Sequence, residues 1–345
     1  MSYLTNNIRF LPEWEHQAGV LIAWPHKGTD WDYMLDDVIE CYVRIAKAIS
    51  EVEKLIIIAP DIEKVKEDFE DANLSNIKLF QIPTNDTWAR DFGCLSIIKD
   101  SHPCLCDFKF NAWGNKFKWD LDNQINKKLQ DNHAFLCDRI DCKDFILEGG
   151  SVETDGNGIV LTTSNCLLAP TRNSTLNKQE IELYLKANLG VRKILWLDYG
   201  ALAGDDTDSH IDTLARLAPN SGIVYVKCQD VEDSHYDELK QMEEQIKLFT
   251  DLNGKPFKLF PLPFPNAIYD ENKERLPATY ANYLILNGKV LVPTYGQPEN
   301  DAKAIGVIKD VFPSYKVCGI DCRALIRQHG SLHCVTMQFA DNTLK

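Results

Sequence analysis

Positive charge is scarce in this chain, and so are long apolar runs. Lys and Arg together number 37 against 51 Asp and Glu, a net charge of −14 at neutral pH. Phosphate recognition needs clustered basic side chains, so a nucleic-acid surface is excluded. No apolar stretch approaches the roughly 18 residues of a membrane span. Residues 1–10 are polar, without the apolar centre of a secretory leader. These absences predict a cytoplasmic protein with no membrane partner. A P-loop and a dinucleotide fingerprint are missing, as is the local cysteine signature of papain-type proteases. No low-complexity linker divides the chain, which predicts a single domain spanning residues 1–345.

Cysteine is not scarce. There are 11, an odd number scattered along the sequence, which reads as free thiols in a reducing compartment. Cys104-Leu105-Cys106 and the pair Cys318 and Cys322 lack zinc-site spacing, and no metal or cofactor is predicted.

Short β-branched runs recur at residues 20–24, 55–59, 95–98, 159–163, 194–197, 223–226, 283–286 and 290–293. Gly, Pro or Asn closes several of them, the grammar of strands. Helical patterns lie between some, at residues 36–50, 178–189 and 236–249. Asn177 and Asp233 are predicted N-caps. The alternation predicts repeated α/β units with no visible sequence repeat. The run Pro261-Leu262-Pro263-Phe264-Pro265 is predicted to be an extended loop.

The chemistry concentrates in four motifs. Cys334 lies in Leu332-His333-Cys334 and is the candidate nucleophile; a thiol needs a partner that takes and returns protons. If the chain is a strand there, His333 points away from Cys334, so the partner comes from elsewhere. Residues 204–212 supply it: five acidic or imidazole groups in nine positions, including Asp206, His210 and Asp212. An EF-hand loop fails here for want of its glycine and terminal Glu. Glu148 precedes Gly149-Gly150, which permit close approach to a ligand and would set Glu148 at a pocket rim. In Trp88-Ala89-Arg90-Asp91 an aromatic face adjoins a carboxylate, the combination a planar cation prefers; an Arg90–Asp salt bridge beside a packed Trp is the plainer reading. Carboxylates normally spoil a thiolate. The conflict disappears if they grip a cationic guanidinium that Cys334 attacks.

In this order the motifs resemble the agmatine deiminases of the guanidino-group-modifying superfamily. The likeness includes Pro12-Glu13-Trp14-Glu15, Asn85-Asp86-Thr87-Trp88, Phe110-Asn111-Ala112-Trp113-Gly114 and Leu276-Pro277-Ala278-Thr279-Tyr280. The resemblance implies an α/β fold, a five-bladed propeller (pentein) of ββαβ units in pseudo-fivefold array. It implies hydrolysis of agmatine to N-carbamoylputrescine and ammonia through a covalent amidino-cysteine, without metal or cofactor. Cys334 would be the nucleophile and His210 the acid and base. Glu148, Asp212 and Asp91 would bind the guanidinium, and Trp88, Trp113 and Asp206 would line the substrate channel. A homo-oligomer is an option the resemblance carries. Gln328-His329-Gly330-Ser331 departs from the family's usual glycine-rich run, and Thr213 stands where Asn is common. Rival readings are a deiminase of free or peptidyl arginine and a polyamine-binding protein without turnover.

Overall fold

The computed structural model describes residues 7–69 and 75–345; the first six residues, part of the segment read as lacking a leader, lie outside the described residues. The strands form five small sheets. Three have one plan: two antiparallel strands, then a helical crossover to a third strand parallel to the second. They are Val152–Thr154, Ile159–Thr163 and Lys193–Leu197; Ala215–Ala218, Gly222–Lys227 and Lys258–Pro263; and Leu284–Leu286, Lys289–Thr294 and Lys316–Asp321. The crossovers are the helices Lys178–Leu189, Tyr236–Ile246 and Pro298–Val311.

The other two sheets carry a fourth strand. Ile8–Phe10 is added to the edge of Leu95–Lys99, His102–Lys109 and Asp138–Ile146. Met337–Ala340, near the C-terminus, pairs antiparallel with Gln17–Ala23, which continues in parallel to Lys54–Ala59 and Ile77–Gln81. The last strand thus completes the unit that opens the chain and closes the ring as a five-bladed α/β propeller. Burial falls outward across the three-stranded blades. Val152–Thr154, Ala215–Ala218 and Leu284–Leu286 are buried throughout, whereas Lys258–Pro263 and Lys316–Asp321 are largely half-exposed. The first strand of each blade therefore faces the axis.

Local chemistry explains the elements. Helix Leu35–Ser50 buries Val38, Tyr42, Ile45, Ala46 and Ile49, a helical stripe one side wide. Asn177 caps Lys178–Leu189 in a reciprocal capping box with Glu180. That helix ends at Gly190 with φ 68°, where a Cβ would stand 2.0 Å from the Ile8 carbonyl oxygen. Asp233, in contrast, does not cap the next helix. His235 holds that position, and Asp233 is taken by Arg275 and the His235 backbone. The proline run also differs from expectation, since Pro261 and Pro263 lie in strand Lys258–Pro263. This is an edge strand paired on one side only, so prolines without N–H are tolerated there. Cys104 and Cys106 are ordinary strand residues in His102–Lys109. No helix among the described residues is long and apolar enough to cross a membrane.

The axis is polar and dry. Arg216 Nη2 donates to Glu13 Oε2 at 2.6 Å, its Nε donates to Glu153, and Nη1 donates to the Tyr283 carbonyl at 2.8 Å. The guanidinium also lies 4.7 Å from the Tyr283 ring centroid. One side chain joins the N-terminal segment to three blades. Removing one partner of a buried ion pair leaves the others uncompensated, at a cost of about 3–5 kcal/mol. Arg216→Ala should lose that much unfolding free energy in urea titration; a loss under about 1 kcal/mol would show that the axis does not depend on it.

Candidate active site

The candidate residues occupy equivalent places in the ring. Asp91 stands just before strand Leu95–Lys99, Glu148 before Val152–Thr154, and His210 and Asp212 before Ala215–Ala218. Cys334 stands just before Met337–Ala340. In the remaining blade the corresponding place, before Leu284–Leu286, holds Asn282, which the motif reading did not single out. All five segments therefore enter the axis from the same end, and short turns present their side chains there. Ala89–Phe92, Gly149–Ser151 and Ile211–Thr213 are such turns.

Gly150 is where they meet. A Cβ there would lie 2.6 Å from His210 Nδ1, 2.9 Å from Asp91 Oδ1 and 3.2 Å from Asp212 Oδ2. Only a residue without a side chain lets three titratable groups converge so closely. Asp91 accepts from Gly150 N at 3.0 Å and from Trp113 Nε1 at 2.9 Å, and faces His210 Nδ1 at 3.6 Å. The plainer expectation of an Arg90–Asp bridge does not hold. Arg90 turns away to the His333 carbonyl and to Gln338 Oε1, while its backbone N–H donates to the Cys334 carbonyl.

Glu148 is fully buried rather than at a rim, because Arg172 Nε donates to its Oε1 at 3.0 Å. Arg172 was missed in the sequence for want of any local motif. Thr163 Oγ1 donates to the Ser209 carbonyl and pins the loop that carries His210. Residues 332–335 form a turn rather than a strand. In it, His333 points to the axis, with Nδ1 2.7 Å from Asp212 Oδ2 and Nε2 2.8 Å from Glu13 Oε2. Each ring nitrogen thus faces a carboxylate oxygen, while burial and then the charges of Arg216 and Arg90 pull the His333 imidazole below its usual range. Asn282 Oδ1 accepts from His333 N at 2.8 Å and lies 3.4 Å from Cys334 Sγ, so it orients the thiol.

Above this floor opens a cavity of about 140 Å³. Cys334 and Asp91 line its base, Trp88, Trp113 and Phe117 its walls, and Asp30, Asp86, Asp205, Asp206 and His329 its mouth. The Trp88 and Trp113 rings meet edge to face with centroids 6.3 Å apart, and Trp88 Nε1 donates to Asp86 Oδ2. The unusual run before Cys334 fits this geometry. His329 adopts φ 66° and is held by Nδ1 at 2.7 Å from the Gly204 carbonyl oxygen. A Cβ at Gly330 would stand 2.1 Å from Trp88 Cζ3, so that glycine alone is irreplaceable.

Electrostatics divide the site. Burial, then the charges of Asp212 and Asp91, push the Cys334 thiol well above its ordinary range. Burial opposes charge on His210, yet Asp91, Cys166 and Glu148 raise it well above the usual imidazole range. Burial lifts Asp91 to about 6, against the pull of His210. Asp212 is depressed despite burial, chiefly by its hydrogen bond and charge interaction with His333. Burial also raises Asp206 at the mouth.

A ring of ββαβ units whose inward turns assemble a buried thiol, an imidazole and carboxylates is the architecture of the guanidino-group-modifying class. The chain belongs to the Porphyromonas-type peptidyl-arginine deiminase family, whose model matches residues 9–339. A Porphyromonas gingivalis structure bearing the provisional name arginine deiminase is 48% identical, with TM-score 0.94 over 98% of this chain and 100% of that one. The C. jejuni agmatine deiminase, described with substrate bound in a cysteine-to-serine variant, is 39% identical, with TM-score 0.92 over 100% of this chain and 99% of that one. The agmatine deiminase of Medicago truncatula is 31% identical over 94% of both chains. DDAH from Pseudomonas aeruginosa, 11% identical with TM-score 0.50 over 94% of this chain and 100% of that one, shares the fold alone.

The raised thiol has a direct chemical consequence. Only the thiolate alkylates, so its fraction grows as pH rises. Iodoacetamide labelling of Cys334 in the free protein, followed by mass spectrometry, should be slow at neutral pH and still accelerate above pH 9. A rate already at its plateau at pH 7 would show a resting thiolate.

Proposed function

We propose that this protein is an agmatine deiminase, a hydrolase of linear amidines that converts agmatine and water to N-carbamoylputrescine and ammonia. The carrying observation is a set of unpartnered buried atoms. Among the described residues Glu148 Oε2, Asp212 Oδ1 and His210 Nε2 have no hydrogen-bond partner; His210 and Asp212 meet Asp91, a residue of the cavity base, around Gly150, and Glu148 lies beside His210. Orphaned polar atoms in a dry site are costly, and a planar guanidinium supplies the donors that the two carboxylates need. The C. jejuni and Medicago truncatula relatives bear the same activity in their names.

In this reading the guanidinium neutralises Asp91 and Asp212 and so lowers the thiol pKa. Substrate binding thus generates its own nucleophile. The thiol proton passes to solvent as the guanidinium enters, Cys334 Sγ attacks the guanidinium carbon, and the His210 imidazolium protonates one nitrogen, which leaves as ammonia. The amidino-cysteine remains. Neutral His210 then takes a proton from water as its oxygen attacks the same carbon. The second tetrahedral centre collapses, the C–S bond breaks, the hydroxyl proton returns to the Cys334 sulfur, and the neutral ureido product departs. Glu148, Asp212 and Asp91 hold the positive charge in place throughout. The raised pKa of His210 suits its first duty as an acid.

Substrate choice follows from the mouth. Asp30, Asp86, Asp205 and Asp206 line it, and no Lys or Arg does among the described residues of the cavity. The second cation of agmatine fits this surface, whereas the carboxylate of free arginine does not. The product leads towards putrescine, and we place the reaction in the cytoplasm, where 11 unpaired thiols are stable.

Ammonia release from agmatine and from free arginine, measured side by side with product mass spectrometry, tests this reading. Agmatine alone should turn over. Cys334→Ala and His210→Asn should fall to background, and Asp206→Asn should raise KM for agmatine about tenfold. Turnover of arginine at a matching rate would retain the chemistry and remove the mouth as selector; a fully active Cys334→Ala would sink the mechanism.

A further inference from the structure

The second thiol at this site is absent from the mechanism. Cys166 lies in the short helix Ser164–Leu167, whose N-cap Thr163 also holds the His210 loop. It is completely buried. One ligand atom from each of Glu148, Cys166 and His210 lies within 4.8 Å of the others. Two of these side chains have unpartnered atoms, Glu148 Oε2 and His210 Nε2, and both residues are at most 1% exposed. The other Glu148 oxygen is committed to Arg172, which fixes the carboxylate rather than occupying the free oxygen. Oxygen, nitrogen and sulfur donors in this number are the set a borderline-soft divalent ion prefers, with a fourth position left open. A tetrahedral zinc ion holds such atoms roughly 3–4 Å apart, so small side-chain movements close the triad.

We infer that Glu148, Cys166 and His210 form an inhibitory binding site for a soft divalent cation such as Zn²⁺, exclusive with substrate. This rests on the reading of Glu148 and His210 as substrate-site residues. The ion takes the free Glu148 oxygen and a His210 nitrogen, and the Cys166 thiol and the His210 imidazolium each release a proton to solvent on ligation. A guanidinium and the metal then compete for the same two side chains. His210, once ligated, neither protonates ammonia nor activates water. The nucleophile Cys334 is not one of the three donors, which separates this site from simple metal capture by the catalytic thiol.

Cobalt absorption decides the point without any assay of turnover. Co²⁺ added to the full-length protein should give a thiolate-to-metal charge-transfer band that saturates at about one ion per chain. The band should persist in Cys334→Ala and vanish in Cys166→Ala, with circular dichroism confirming that each variant is folded. Glu148→Gln removes a donor independently and should weaken Co²⁺ binding at least about tenfold. With agmatine, Zn²⁺ inhibition should be competitive and relieved by chelator. The half-inhibitory concentration should rise about 100-fold or more in Cys166→Ala, relative to that variant's own metal-free rate. No band, a band lost with Cys334, or a band retained without Cys166 would overturn the site. Should agmatine not be a substrate, the cobalt result stands on its own and only the activity reading falls.

Discussion

The contact between Arg216 and the carboxylates of Glu13 and Glu153 is the constraint on which the rest of the structure depends. A propeller has no continuous core through its axis, so the inward strands need something to hold them together. Here a buried guanidinium does so, with Glu13 from the N-terminal segment, Glu153 and Arg216 from neighbouring blades, and the Tyr283 carbonyl from a third. The cluster then passes order outward. Glu13 also receives His333, and His333 fixes Asp212 on the opposite side of its ring. The orientation of a candidate substrate carboxylate is thereby set by an ion pair that never reaches the cavity. The cost is desolvation of several charges, and burial raises Glu153 to about 7 even beside Arg216.

The same low dielectric defines the chemistry above it. A thiol surrounded by carboxylates in a dry site is a poor nucleophile, and an imidazole in that company is protonated. Each is the wrong state for a protease-like pair, in which a neutral histidine deprotonates the nucleophile. Each is the right state for a site that waits for a cation. In the proposed reaction, binding energy from guanidinium–carboxylate contacts is coupled to ionisation of the thiol, so that the reaction would begin only with the correct charge in place. The metal site inferred at Glu148, Cys166 and His210 follows from the same feature, since unpartnered donors kept ready for one cation are open to another.

Much of this was legible in the sequence, and the parts that were not share a cause. Asp91, His210, Asp212 and Cys334 sit in short motifs because each lies on a turn that enters a blade, where composition is dictated locally. Helix Lys178–Leu189 and strand Ile159–Thr163 followed from periodicity and capping for the same reason. Arg172, Asn282 and Arg216 carry no such mark. Their roles exist only after distant segments meet, 24 residues apart for Arg172 and Glu148 and 203 for Arg216 and Glu13. Glu148 was placed at a rim because glycines mark close approach, but the sequence does not say to what. The glycines approach His210, Asp91 and the Arg90 carbonyl, inside the protein. Pro261 and Pro263 read as a loop because only pairing shows that their strand lies at an edge.

The run Gln328-His329-Gly330-Ser331 holds its shape through side-chain bonds. Of its positions, His329 alone adopts positive φ, at 66°, where a non-glycine residue costs of the order of 1 kcal/mol. The 2.7 Å contact from its ring to the Gly204 carbonyl oxygen offsets that strain and ties the Cys334 loop to the acidic loop across the mouth. Ser331 contributes a second tie, with Oγ 2.9 Å from the Tyr295 hydroxyl. Gly330 is retained because Trp88 occupies the space a side chain would need. Side chains thus replace the freedom of glycine with specific bonds. The exchange stiffens the mouth and puts an imidazole next to Asp206, whose ionisation it favours. Burial still prevails at the mouth, where it raises Asp206 and lifts Asp86 to about 7, so a cation that enters there favours the ionised form of both.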